Sequence, residues 1–212
     1  MINSVDKIMD GLYLGDINGV SNLYQLRKKK ITHILTMAAG IRPLYKKEFK
    51  YKVVNIMDLP TQNILAHLDR AVEFINKVVT GGGRVLVHCH AGISRSATTV
   101  IAYFMATRKM TFIEGFKYVK QRRPIIFPNF GFQRQLGEYE NILQERFKAK
   151  KNHNIENIIE NHKKSIESVQ NNPSSYTPYT RHNKLKMSRK NERLSMSPKT
   201  NKQLKPTQFH YP

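Results

Sequence analysis

The run Arg84-Val85-Leu86-Val87-His88 is apolar without alternation, and it leads through a short loop, Cys89 to Ser94, into Ala97 to Thr107, which is apolar nearly all round. A strand with no polar face has to be covered on both sides, so this one belongs in the middle of a sheet. A helix with no polar face is likewise buried. A buried strand joined by a tight loop to a buried helix restricts the chain to folds in which helices cover a sheet, an α/β architecture.

The rest of the first 147 residues supplies the other elements. Gly11-Leu12-Tyr13-Leu14-Gly15 and the β-branched runs Ile31 to Leu35 and Tyr51 to Ile56 have strand length and composition. Between the first two, Val20, Leu23, Tyr24 and Leu26 share a helical face that ends in Arg27-Lys28-Lys29-Lys30, cations suited to a helix C-terminus. Ile64, Leu68, Ala71, Val72, Ile75, Val78 and Val79 follow helical spacing until Gly81-Gly82-Gly83 ends the pattern. Thr111-Phe112-Ile113-Glu114 reads as a capping box, and Pro124 stops the helix it starts. Pro128-Asn129 offers a turn and a cap for a last helix with Phe132, Leu136, Tyr139, Leu143 and Phe147 on one face. The spacing predicts a central mixed β-sheet flanked by α-helices over residues 1–147. Residues 148–170 keep a weak helical pattern through Ile155, Ile158, Ile159 and Ile166, fitting a helical extension or a linker. Residues 171–212, rich in Asn, Ser, Pro, Lys and Arg, read as a disordered basic tail.

Charge and cysteine usage narrow the setting. The formal net charge is +21, and the tail alone sets nine cations against Glu192. Such a field favours anionic partners: phosphoproteins, nucleic acid or acidic lipid. The tail lacks regularly spaced stacking aromatics, which disfavours nucleic acid and leaves acidic partners for a solvated appendage. One cysteine allows no internal disulfide, and the N-terminus lacks the apolar core of a secretory signal, so an intracellular location, cytoplasmic or nuclear, is expected. The densest apolar run is about half of the ~20 residues a membrane span needs.

Chemistry concentrates in His88-Cys89-His90-Ala91-Gly92-Ile93-Ser94-Arg95-Ser96. A loop curling between a strand and a helix N-terminus aims the amides of His90, Ala91, Gly92, Ile93 and Ser94 at one point, and the helix end adds partial positive charge. That arrangement holds a tetrahedral anion. Gly92 permits the tight curvature. The same field favours a thiolate at Cys89 and so makes it nucleophilic. Arg95 offers a planar fork to two phosphate oxygens, and Ser96 can donate to the departing sulfur. A lone cysteine beside a core is ordinarily structural, but the strand, loop and helix around this one are what an anion loop requires. The sequence has no Gly-Lys-Ser/Thr pair and no zinc-type cysteine spacing, so neither a nucleotide loop nor a metal site is expected.

These residues resemble the H-C-x5-R-S/T signature of the cysteine-dependent protein phosphatases, and the surroundings resemble the dual-specificity branch. The likeness covers about residues 7–146 and includes Gly11 to Asp16, Ile31 to Leu35, Ala91 to Ser96, Pro128-Asn129 and Gln135-Leu136. It implies a phosphatase-like fold, phosphorylated protein substrates, a phosphocysteine intermediate and no cofactor. It also implies that Asp58 is the general acid, that His88 buffers the thiolate through hydrogen bonds and that His90 lines the mouth. Asp69 and Glu73 are the other acids between the strand Tyr51 to Ile56 and Cys89, and both fall within a helical pattern. Thr36 stands where many relatives have Asn, which leaves that residue's loop-bracing hydrogen bond open. No N-terminal kinase-docking domain precedes the catalytic pattern, so the resemblance implies no MAP kinase substrate. Two alternatives stay open: a phosphatase of lipid or RNA phosphates, and a non-catalytic phosphate-binding module.

Overall fold

A computed structural model describes residues 3–171, with side chains as far as Ser168. The tail expected from residue 171 therefore lies, beyond Asn171 itself, outside the described residues. Five strands, β1 (Val5–Met9), β2 (Leu12–Gly15), β3 (His33–Met37), β4 (Lys50–Val54) and β5 (Val85–His88), form one sheet in the order β1-β2-β5-β3-β4. β1 is antiparallel to β2 and every other pair is parallel, so the sheet is mixed. The helices are α1 (Ile17–Ser21), α2 (Leu23–Lys28), α3 (Leu65–Thr80), α4 (Arg95–Arg108), α5 (Phe112–Arg122) and α6 (Phe130–Asn171).

The period of two in the strands sorts the core into two layers. Leu12, Leu14, Leu35, Met37, Val85 and Val87 face α3, α4, α5 and the first turns of α6. Tyr13, Ile34 and Leu86 face the other way, against Val20 and Leu26 of α1 and α2. β5, in the middle with all four residues buried, is the strand that the unbroken apolar run requires. Helix α4 begins at Arg95, two residues before its apolar stretch, so Arg95 occupies the first turn.

Several local readings shift for identifiable reasons. The first helical pattern is two helices: Asp16 caps α1 through Gly19 N, and Asn22 then caps α2 through Gln25 N, resetting the chain between them. The capping box at Thr111 is formed, with Glu114 reaching back. β1 has no alternating pattern in the sequence because its register shifts between Lys7 and Met9: Val5 packs in the layer of α1 and α2, whereas the consecutive residues Ile8 and Met9 both pack in the opposite layer. Thr36 lies inside β3, not after it. The N-terminus of α3 is capped from a distance: Gln135 Oε1 accepts from Ile64 N at 2.9 Å and Leu65 N at 3.0 Å. Residues Met1–Asn152 make one compact unit, within which α6 packs Phe132, Leu136, Tyr139 and Leu143 inward. From Lys148 to Ser168 the chain is helix and exposed throughout. No helix among the described residues is long and apolar enough to cross a membrane.

Candidate active site

β5 runs directly into Cys89 at its C-terminal end, and the loop closes on α4 six residues later. Cys89 is buried, and its sulfur accepts from Gly92 N at 3.3 Å and Ser96 Oγ at 3.1 Å. The loop carbonyls all have partners. His90 O accepts from Ile17 N, Ile93 O from Phe127 N, and Ser94 O from both N and Oγ1 of Thr98. Gly92 O accepts from Arg123 Nε at 2.8 Å and Ala91 O from Arg123 Nη2 at 3.4 Å. Among the described residues, the amides of Ala91, Ile93, Ser94 and Arg95 have no protein acceptor. With its carbonyls engaged by the surrounding scaffold, the loop leaves its amides for an anion over the sulfur, at the end of a helix whose dipole favours negative charge.

Arg123 is the residue that sequence reasoning missed. It follows the last residue of α5, in a run that resembles a solvated helix end, yet it is fully buried. Its guanidinium ties Gly92 O and Ala91 O to Asn3 O and to Asp6 Oδ2, the last two at 2.7 Å. A buried charge is tolerated when paired and hydrogen-bonded, and here each guanidinium nitrogen has an acceptor and Asp6 supplies the opposite charge. Gly92 has φ +66°, and a Cβ there would come within 2.6 Å of both Arg123 Nη2 and Gly15 O. The loop therefore needs glycine on two counts, conformation and space.

Asp58 lies in the loop after β4. Its Oδ1 accepts from Ser94 Oγ at 2.7 Å and Asn129 Nδ2 at 2.9 Å. Its Oδ2 is 3.3 Å from Arg95 Nε. That contact is Coulombic in character: the N–H misses the carboxylate, so buried Nε has no hydrogen-bond acceptor among the described residues. Arg95 Nη1 donates to Ile56 O at 3.2 Å. The Asp58 loop is pinned against α6, since a Cβ on Gly131 would sit 1.9 Å from Pro60 O. Asn129 also caps α6 through Phe132 N, so one residue sets both the helix start and the carboxylate. Asp69 is elsewhere, on α3 with Tyr139 and Arg146, and Asp16 is engaged as a cap.

His88 is buried in the sheet, and desolvation lowers its pKa to about 4, so it is neutral near pH 7. Its Nε2 lies 2.8 Å from Thr36 Oγ1 and its Nδ1 3.2 Å from Cys89 O. With the proton on Nδ1, the hydroxyl donates to Nε2 and the ring donates to the carbonyl. Thr36, at the position whose hydrogen bond was left open, holds the His88 ring. The hydrogen bond His88 makes to Cys89 is to the backbone carbonyl, while Gly92 N and Ser96 Oγ donate to the sulfur. Ser94 is likewise placed differently from a plain loop member, because its hydroxyl goes to Asp58. His90 is exposed.

The family profile for the dual specificity phosphatase catalytic domain matches residues 12–142. The chain belongs to the dual-specificity phosphatase family. It is 43% identical over 137 residues to dual specificity protein phosphatase 1 of Arabidopsis thaliana, covering 65% of this chain and 69% of that one. A probable rhodanese domain-containing dual specificity protein phosphatase of Dictyostelium discoideum is 44% identical over 136 residues, or 64% of this chain, but the match takes in only 29% of that longer protein. In structure the chain resembles human tyrosine phosphatase-like serine/threonine/tyrosine-interacting protein, with TM-score 0.63, 43% identity and coverage of 65% of this chain and 96% of that one. Family and fold together identify a cysteine-based protein phosphatase, a hydrolase acting on phosphorylated tyrosine, serine and threonine.

Proposed function

We propose that the residue roles in this phosphatase are Cys89 as nucleophile, Arg95 with the amides of residues 90–95 as phosphate clamp, and Asp58 as general acid and then base. The loop supports this reading most directly: its carbonyls are engaged by the scaffold while its amides are left beside a buried sulfur. Cys89 sulfur attacks phosphorus as the bond to the leaving oxygen breaks, and that oxygen takes the proton of Asp58. Asp58, now a carboxylate, takes a proton from water as the water oxygen attacks phosphorus. The sulfur–phosphorus bond breaks, inorganic phosphate leaves and the thiolate returns, with Ser96 Oγ donating to it. Arg95 and the loop supply the positive field for charge spreading over the equatorial oxygens.

The catalytic domain in this reading is residues 1–147, its substrates are phosphorylated proteins, and its setting is intracellular, where a single thiol stays reduced. The basic tail, dense between Lys184 and Arg193, serves acidic partners. A non-catalytic phosphate-binding role, raised by the phosphatase-like neighbour, fits poorly with a chain that carries Cys89, Arg95 and Asp58 together. The test is Cys89→Ser. It removes turnover of phosphopeptides and leaves inorganic phosphate binding, measured by calorimetry, because a neutral hydroxyl is a poor nucleophile while the clamp is intact. Retention of more than about a thousandth of the wild-type rate would overturn the covalent route.

A further inference from the structure

Up to Asn152, nine large apolar side chains among the described residues are exposed, and four of them, Met57, Leu59, Phe127 and Phe130, lie within two residues of Asp58 or Asn129. Those two residues are themselves joined at 2.9 Å, so the segments carrying the four side chains meet beside the phosphate loop. Phe127 is tied to the loop as well, its amide donating to Ile93 O at 2.9 Å. Phe127 is 64% and Phe130 77% exposed, values that leave little packing role in the free protein. The inward anchors of the same segments are other residues: Ile56 and Ile126 are fully buried, and Gly131 seats Pro60. Neither segment, 56–60 or 126–131, holds a lysine or arginine, although the chain carries +21. Clustered exposed apolar groups beside a polar pocket mark a contact surface, and here the surface is continuous with the place where phosphate is held.

We propose that Met57, Leu59, Phe127 and Phe130 form an apolar rim that binds the residues flanking the phosphorylated side chain, so that preferred substrates carry apolar neighbours there. The occupant is the substrate segment itself, since the segments carrying these side chains also carry Asp58 and Asn129, which meet beside the loop that takes its phosphate. The general positive charge then attracts acidic proteins at a distance, while selection at the mouth is by apolar contact.

This inference rests on the proposed reading of the site, and the experiment separates the two. Wild-type enzyme is assayed on phosphotyrosyl peptides of one length whose flanking residues are leucine and phenylalanine, serine and glutamine, or aspartate, with nitrophenyl phosphate alongside. The expected kcat/KM is about tenfold or more higher on the apolar-flanked peptide than on the serine and glutamine one, the size expected from burying one or two apolar side chains. In Phe127→Ser/Phe130→Ser that ratio falls to within about twofold, whereas in Tyr24→Ser, an exposed aromatic elsewhere, it stays as in wild type. A ratio of two kcat/KM values from one preparation is independent of how much of the enzyme is folded, so partial misfolding cannot mimic the result. Equal rates on all peptides, preference for aspartate flanks, or a ratio unchanged in the double variant would each overturn the rim while nitrophenyl phosphate turnover stands. Absence of nitrophenyl phosphate turnover in wild-type enzyme would instead overturn the reading of the site.

Discussion

Asp58 Oδ2 and Arg95 Nε lie 3.3 Å apart, close enough for one side chain to serve the leaving oxygen while the other holds the phosphoryl group being transferred. A general acid matters in proportion to how strongly its leaving group needs a proton. Phosphotyrosine departs as a phenolate of conjugate pKa about 10, and phosphothreonine as a far more basic alkoxide. Asp58→Asn keeps the acceptor for Ser94 and removes the proton, so kcat/KM is expected to fall about 10²- to 10⁴-fold on a phosphothreonyl peptide and markedly less on nitrophenyl phosphate. Equal losses on both would return Asp58 to the role of a turn residue. His88 gives a second prediction, in stability. Burial pushes it down from 6.5 to about 4, so between those values the unfolded chain binds the proton that the folded chain refuses. Its contribution is intact above about pH 6.5 and is lost as pH falls towards 4, in total on the order of 3 kcal/mol. Urea unfolding between pH 7 and 5 should therefore show a steeper loss in wild type than in His88→Gln, in which that proton uptake is absent. Matching slopes would mean that His88 is protonated in the fold.

Strand β5, the loop and α4 bring the proposed nucleophile Cys89 and the loop amides together, but the loop is held in shape by a side chain from beyond α5 and by the start of β1. Arg123→Met would leave the carbonyls of Gly92 and Ala91 and the Asp6 carboxylate without their shared donor, at a cost of about 3–5 kcal/mol, the range for breaking a buried pair from one side. Arg123→Lys keeps the charge but not the fork, and it should weaken inorganic phosphate as a competitive inhibitor by about tenfold or more, since Arg123 acts on phosphate only through the loop. Unchanged phosphate inhibition in a folded Lys variant would make Arg123 a purely structural residue. These elements also show what the sequence could reveal. Cys89, Gly92, Arg95 and Ser96 are legible because the whole loop is contiguous and its neighbours are unmistakably strand and helix. Arg123 is not, since its partners are 31 or more residues away and Arg122-Arg123 looks like any basic helix end. Gln135 capping α3 and Gly131 seating Pro60 are hidden for the same reason: each acts on a segment about 70 residues distant. β1 escapes because its register shift breaks the alternation by which strands are recognised.

At the scale of the molecule, α6 is continuous from Phe130 to Asn171, but its buried face ends early, with Leu143 buried and Phe147 partly buried against the core. Arg146 adds a forked pair to Asp69, both bonds 2.8 Å, and this holds the Asp69 carboxyl below its usual range. Both partners are about half exposed, so the pair contributes little beside the apolar contacts. From Lys148 onward the helix is exposed, and its weak apolar pattern, Ile155, Ile158, Ile159 and Ile166, contributes nothing to the core of the compact unit. Helical periodicity alone thus marks residues 148–171 as helix without marking them as part of the domain. Two shortened chains separate these statements. A chain ending at Asn152 keeps Leu143, Arg146 and Phe147 and the whole of the compact unit that carries the site, so its urea midpoint and its kcat/KM on nitrophenyl phosphate should match those of the full chain within about twofold. A chain ending at Asn141 loses all three, and burial of Leu143 and part of Phe147 accounts for about 2–4 kcal/mol, enough to move the midpoint well below that of the full chain. Were the chain ending at Asn152 to unfold, or to lose turnover of so small a substrate, the residues beyond it would be part of the catalytic unit and the domain boundary drawn at residue 147 would be wrong.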